Sequence, residues 1–359
     1  ATENEYAKGD AACWEQIIKP YTNFVGMIIR KNEMKTCLKH LYDLDAINIE
    51  KSGVGAGSDT FFVTCTDGKY VVKYPASSEI NHPEAEPVLC EYLLEKEIPV
   101  CQFLRNKEGH FLTTDGSGRL FHVQRFIEGK MYDLNTAPDW LLTESAQMLG
   151  KIHTALRDYQ ELSVGIGADF FEYMTPDRAS ESYKKSLVIA ESRGDTEIAA
   201  DLRYRIYLMQ RFPAYEFDLE KLTCCATHGD YFISQIICGE RKINAVIDWT
   251  TACVHPVAWE IVRSYIYAAP SCKEGQIDMD EFLRYVAEYR EFAPLNEYDL
   301  LCMARLFYYQ IAVCDYYGQY YASTADNRHI YLHQAVFSTK LLCWLDDHVE
   351  TLTAKLLTQ

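Results

Sequence analysis

The sequence predicts an α+β protein of two lobes. The smaller, N-terminal lobe is built on an antiparallel five-stranded sheet plus a helix, and the larger, C-terminal lobe is mostly helical. Three observations predict this. The chain has 359 residues, more than one compact core ordinarily holds. From Ile47 to Ile127, short runs of alternating character are separated by Gly-, Asp- and Asn-containing turns, the pattern of strands. Beyond that point apolar residues recur at three- and four-residue spacing, the pattern of helices. The expected division is 1–127, with a helical extension over 1–45, and 128–359.

The elements follow in order. Ala11–Tyr21 and Met34–Tyr42 read as helices separated by a polar turn at Arg30–Glu33. The stretch INIEKSGVGAGSDTFFVTCTDGKYVVKY reads as a strand, a glycine-rich turn, a strand at Thr60–Thr66, an Asp67-Gly68 turn and a strand at Tyr70–Tyr74. Gly53, Gly55, Gly57 and Ser58 form a turn whose backbone can approach a phosphate closely. Its strand-to-strand setting argues against the strand-to-helix dinucleotide fingerprint. A helix over Glu84–Lys96 carries Pro87 in its first turn, where proline is tolerated. Strands at Gln102–Asn106, His110–Thr113 and Leu120–Ile127 complete the sheet. Asp139–Tyr159 is a long amphipathic helix whose His153 reads as a packed core histidine. Residues 180–211 read as two helices, and Asp278–Phe292, Glu297–Tyr320 and Asn327–Leu357 as three more. The tyrosines of the last segments read as core and helix seam.

Composition removes several function classes. With 48% hydrophobic and 24% charged residues the chain is ordinary globular material. It has no apolar run of bilayer-spanning length, and its opening ATENEYAKGD lacks the form of a secretory signal, so a cytoplasmic location with no membrane partner is expected. The 13 cysteines include no C-x-x-C pair, so neither a zinc site nor a disulfide framework is indicated. A formal charge of -17 argues against nucleic acid as a partner and, if focused, favours a cationic small molecule.

The chemistry concentrates in Thr227–Trp249, THGDYFISQIICGERKINAVIDW. Two short β-like runs, Gln235–Cys238 and Ile243–Ile247, flank a turn at Gly239–Lys242. Such a hairpin brings Asp230, Gln235 and Asp248 to one end of a small sheet. Two carboxylates and an amide oxygen suit phosphoryl transfer: one carboxylate takes the proton of an attacking hydroxyl, while the other and the amide hold Mg2+ on a nucleotide's phosphates.

This stretch resembles the aminoglycoside phosphotransferase and choline kinase-like family, whose members have a bilobal protein-kinase-like fold. The resemblance rests on His228-Gly229-Asp230 and Ile247-Asp248-Trp249 and runs from about Ile47 to Tyr265. It implies an ATP- or GTP-dependent kinase acting on a hydroxyl of a small molecule. The expected roles are Asp230 as base, Lys73 on the α- and β-phosphates, Asp248 and Gln235 at Mg2+, and backbone near Gln124 and Phe126 at the adenine. Glu86, or Glu91 one turn further on, orients Lys73. Glu260 plays a structural part at the catalytic loop. Gln235 stands where the family has Asn, which keeps open a nucleotide-binding scaffold without turnover. The expected acceptor is a cationic, aminoglycoside-like antibiotic, which would make the chain a resistance enzyme; choline, homoserine or a sugar are alternatives.

Overall fold

The computed structural model describes residues 31–52, 58–75, 83–323 and 328–359. The chain divides into two compact units, one comprising residues 1–91 and 101–126, the other residues 92–100 and 127–359. The expected helix at Ala11–Tyr21 and Gly53, Gly55 and Gly57 lie outside the described residues.

The first unit is a six-stranded antiparallel sheet with helices. Helix α1 covers residues 31–42, so the polar residues from 31 to 33 open this helix and do not form a turn. Strands β1 (Ala46–Lys51), β2 (Asp59–Cys65), β3 (Gly68–Tyr74) and β6 (Leu120–Arg125) follow in spatial order, with β4 (Phe103–Leu104) beyond β6 and β5 (Leu112–Thr114) pairing β6 off this path. All six segments read as strands join one sheet, β4 and β5 both pairing with β6, so the sheet has six strands and not five. The expected strand Gln102–Asn106 shrinks because Asn106 closes a turn, its Oδ1 accepting from the amides of Glu108 and His110 at 3.0 Å each.

Alternation along β3 decides what each face does. Tyr70, Val72 and Tyr74 point into a core with Met34 and Leu38 of α1, Phe61, Val63, Phe121 and Val123. Lys73 therefore faces the other side, directly opposite His122 in the β3–β6 register. On that side Glu86, in the first turn of α2 (Ala85–Glu95), lies 3.9 Å from buried His122.

The second unit is mostly helical. Its helices are α3 (Asp139–Ala155), α4 (Ala168–Tyr173), α5 (Pro176–Arg193), α6 (Thr196–Gln210), α7 (Val257–Ile266), α8 (Met279–Arg290), α9 (Glu297–Val313), α10 (Tyr316–Ala322) and α11 (His329–Leu357). Two small two-stranded sheets sit among them: β7 (Cys224–Thr227) with β10 (Cys253–Pro256), and β8 (Ile236–Cys238) with β9 (Ile243–Val246). The expected helix Glu297–Tyr320 is broken. Cys314 is extended, and Asp315 caps a new helix by accepting from the Gly318 amide at 2.7 Å. Gly150 lets α3 close on α8, since a Cβ there would lie 2.6 Å from the Tyr289 carbonyl.

Arg205 of α6 is the polar hub of the C-terminal helices. It is 1% exposed. It donates to Thr339 Oγ1 at 3.0 Å, Ser338 Oγ at 2.7 Å, Tyr183 OH at 3.2 Å and the Ile311 carbonyl at 3.1 Å, joining α6 to α5, α9 and α11. Arg205→Met would leave these acceptors without their charged donor. We expect it to lower the unfolding free energy by about 3 kcal/mol, read from urea denaturation.

Candidate active site

The site in the second unit begins with the pairing of β7 and β10, in which Thr227 lies opposite Cys253. Thr223, just before β7, is anchored by Asp299, which accepts from its amide and its hydroxyl at 2.7 Å each. Asp299 also completes a capping box with Asn296 at the start of α9. The end of β7 is thereby fixed before the chain enters His228-Gly229-Asp230.

Gly229 takes φ +78°, and a Cβ there would fall inside contact distance of the Thr251 carbonyl. This is a position only glycine fills without strain. Its amide donates to Glu260 Oε1 at 2.6 Å. The other oxygen of that fully buried carboxylate accepts from His153 Nε2 at 2.8 Å, and His153 Nδ1 meets Tyr289 OH at 2.8 Å. Burial opposes the charge of Glu260. The hydrogen bond and proximity of His153, with His228 and His255, nonetheless hold its carboxyl below the ordinary value. His153 is the packed histidine expected, and Glu260 bonds the loop backbone.

His228 is fully buried and its two nitrogens have distinct partners. Nε2 lies 2.9 Å from the Ile247 carbonyl, and Nδ1 accepts from the Asp230 amide at 3.3 Å. This requires the neutral Nε2–H tautomer, consistent with burial pulling its pKa down. The ring rests on Trp249, with centroids 4.5 Å apart. The histidine thus ties the loop that carries Asp230 to the strand end that carries Asp248.

Asp230 is the reactive-looking group. Burial pushes its pKa up, against the pull of Arg263 and His228; the charges of Asp248 and Glu260 add to the rise. Arg263 Nη2 donates to Asp230 Oδ1 in an ion pair. Asp248 has φ +63°, ψ +63°, the left-handed region. A residue other than glycine held there costs on the order of 1–3 kcal/mol, and such strain clusters at functional sites. Gln235 lies in a 3₁₀ turn, Ile233–Gln235, not in the strand expected of it. Its carbonyl accepts from the Ile247 amide at 2.9 Å, which holds it beside the residue preceding Asp248.

Asp230, Gln235 and Asp248 therefore all lie in the second unit, Asp248 close enough to act electrostatically on Asp230 and the Gln235 backbone bonded next to Asp248. Lys73, Glu86, Gln124, Phe126 and half-buried Ser58 belong to the first. There Lys73 and Glu86 both act electrostatically on the buried Cys90 thiol, while Glu91 is paired with Arg105 at 2.6 Å. The amides of Arg125 and Phe126 donate to the carbonyls of Gln102 and Lys69, at 2.9 and 3.1 Å, just past the paired ends of the strands. The sequence reading missed Arg263 and His255. Arg263 follows Glu260 by three residues, one helical turn, and that spacing was the available signal.

The fold is of protein-kinase-like architecture, and the family match makes the chain a phosphotransferase with an alcohol group as acceptor. Residues 48–295 match the model of the phosphotransferase enzyme family, and the chain belongs to that family. It is similar to the spectinomycin phosphotransferase APH(9)-Ia, solved with ADP and spectinomycin, at 17% identity over 87% of this chain and 93% of that one, with a TM-score of 0.57. It is also similar to the amicoumacin kinase hAmiN, solved with AMP-PNP, Ca2+ and Ami, at 13% identity over 88% and 92%, TM-score 0.56. A third likeness is to the macrolide 2'-phosphotransferase MphH of Brachybacterium faecium, at 16% identity over 85% and 97%, TM-score 0.51. No curated protein matches the chain. Among the described residues, no helix is long and apolar enough to cross a membrane.

Two outcomes follow from this geometry. Gly229→Ala forces the turn away from Thr251 and the Glu260 carboxylate, and turnover should fall at least about 100-fold while the fold is retained, as checked by steady-state kinetics and circular dichroism. His255 accepts from the Ile166 amide at 2.8 Å, and its pKa is held down to about 4 from 6.5, chiefly by burial. Its folded pKa lies below its unfolded one, so its contribution is complete above pH 6.5 and is lost as pH falls through 4. Urea unfolding at pH 7 and pH 4 should show a loss of about 3 kcal/mol from this residue that His255→Asn lacks.

Proposed function

We propose that the protein is an ATP-dependent small-molecule kinase, with GTP as the alternative donor, located in the cytoplasm and acting with Mg2+. In this reading residues 1–127 form the nucleotide-binding lobe and residues 128–359 the lobe that supplies the catalytic loop and the acceptor site. The observation that carries it is the Asp230 carboxylate, desolvated and held at the end of a glycine turn by the Glu260–Gly229 bond, beside a second carboxylate in a strained backbone conformation.

Asp230 takes the proton of the acceptor hydroxyl as that oxygen bonds to the γ-phosphorus. The bond from that phosphorus to the β–γ bridging oxygen breaks, and the nucleoside diphosphate leaves. Desolvation favours proton uptake, while Arg263 keeps the carboxylate available in its charged form. Asp248, with the Gln235 amide oxygen, offers the hard oxygen donors that a magnesium ion completed by phosphates and water takes. When bound, that ion offsets phosphate charge. Lys73, with Glu86 on the same face of the sheet, does the same at the α- and β-phosphates.

The scaffold alternative draws only on Gln235, and one experiment separates the two readings. Asp230→Asn should lower kcat by roughly two to four orders of magnitude while leaving nucleotide binding, read by thermal shift with ATP and Mg2+, within twofold. Equal ADP release by wild type and variant across a panel of amines, amino acids and sugars would sink the assignment of Asp230. An acceptor expected from bulk charge is a cationic amine, with antibiotic resistance as its consequence; the residues around Asp230 bear on that choice.

A further inference from the structure

Arg263 stands beside the base assigned above, and its surroundings restrict what the acceptor can be. Nη2 is spent on Asp230, and Nη1 is buried with no hydrogen-bond partner among the described residues. The rings of Phe232, Trp259 and Tyr267 stand 5.4, 5.9 and 5.1 Å from the guanidinium carbon. Behind them the groups are neutral: Gln334 donates to Tyr267 OH at 2.5 Å, and Trp259 Nε1 donates to Gln310 Oε1 at 3.3 Å. The charges acting on Tyr267 are those of Arg263 and Asp230, and Arg263 also acts on Tyr316. This side of the site is aromatic and neutral-polar. Its carboxylate is already paired.

We infer that Arg263 receives an anionic oxygen of the acceptor, so that the acceptor is a small hydroxy acid, an alcohol carrying a carboxylate near its hydroxyl, and not a polycationic amine. This rests on the kinase reading and names its substrate class. A planar guanidinium matches carboxylate geometry, and a buried N–H without an acceptor is a standing cost that such an oxygen removes. The Arg263 side chain as a whole is 19% exposed, so the guanidinium is not sealed from the side of Asp230. A carboxylate on Nη1 and Asp230 on Nη2 share one fork, which sets the substrate's neighbouring hydroxyl close to its base. An ammonium in that position would meet a like charge. The transfer balances as before: the hydroxyl oxygen gains the phosphoryl group, Asp230 gains its proton, and the diphosphate departs.

The test is an ADP-release assay on small hydroxy acids, each paired with its methyl ester, with L-homoserine as the first pair and kanamycin as the polycation. Turnover should be confined to the free acids. R263K and R263M should raise KM for the accepted acid about 100-fold, on the scale of a lost charge-assisted hydrogen bond, with a smaller change in kcat. Neither wild type nor R263M should turn over the ester. Unchanged thermal stabilisation of both variants by ATP and Mg2+ would show that they are folded. Phosphorylation of kanamycin or of the esters with KM unmoved by R263M would overturn the inference, as would failure of every hydroxy acid in an enzyme that binds ATP. Failure of the kinase reading looks different, with neither nucleotide stabilisation nor ADP release with any acceptor.

Discussion

The Glu260 carboxylate, sealed from solvent, is the constraint on which the catalytic region depends. A buried charge persists only where its oxygens are bonded, and here one oxygen takes the Gly229 amide and the other His153. The first bond fixes the turn that aims Asp230. The second reaches α3, and through Tyr289 it reaches α8. One side chain from the first turn of α7 therefore locks two helices and the loop to a common frame. The demand for a partner at each oxygen, more than the bonds' net energy, makes the frame specific.

The same carboxylate sets a problem that the neighbouring residues resolve. Asp248 and Glu260 each raise the cost of charging Asp230, in addition to its burial. Arg263 and His228 act in the opposite sense. The balance leaves Asp230 with a raised pKa but an ion-pair partner, a state in which it is both ionisable and eager for a proton. The left-handed Asp248 is held on both flanks. Ile247 is bonded to Gln235, and buried Trp249 donates to the Val246 carbonyl at 3.1 Å while its ring supports His228. Strain at one residue is sustained because its neighbours have no other place to go.

How much of this was legible in the sequence follows from where each signal lies. The β-rich runs on either side of Asp67-Gly68 exposed β2 and β3, and only the alternating burial along β3 shows which face Lys73 takes. The hairpin β8–β9 was legible from its turn. The pairing of β7 with β10 was not: CCAT and CVHP are four residues each, without alternation, and Cys253 lies 26 residues from its partner Thr227. The break before α10 was hidden because apolar spacing runs through it, and Asp315 reads as a solvated helix residue until Ser182, Ser186 and the Gly318 amide are seen to bond it. Gln235 reads as the first residue of a strand because a 3₁₀ turn of three residues leaves no periodicity. The spelling His-Gly-Asp located the loop, but nothing in it foretold that Arg263 would pair with its aspartate.

That pairing shows why net charge is a poor guide to a site. The chain carries 52 acidic against 35 basic residues, an excess that on its own invites cationic partners. In the second unit many of those carboxylates are spoken for: Arg211 pairs with Asp346, Arg305 with Glu350 and Lys355 with Asp280. Screening confines exposed charges to about 8–10 Å, so carboxylates on distant surfaces contribute little at Asp230. The near neighbours of Asp230 are what count, and those are the Asp248 and Glu260 carboxylates, the Arg263 guanidinium with which Asp230 is paired, and aromatic rings around that guanidinium. Among the charges near Asp230, the one with an unmet hydrogen bond among the described residues is positive, the Arg263 guanidinium.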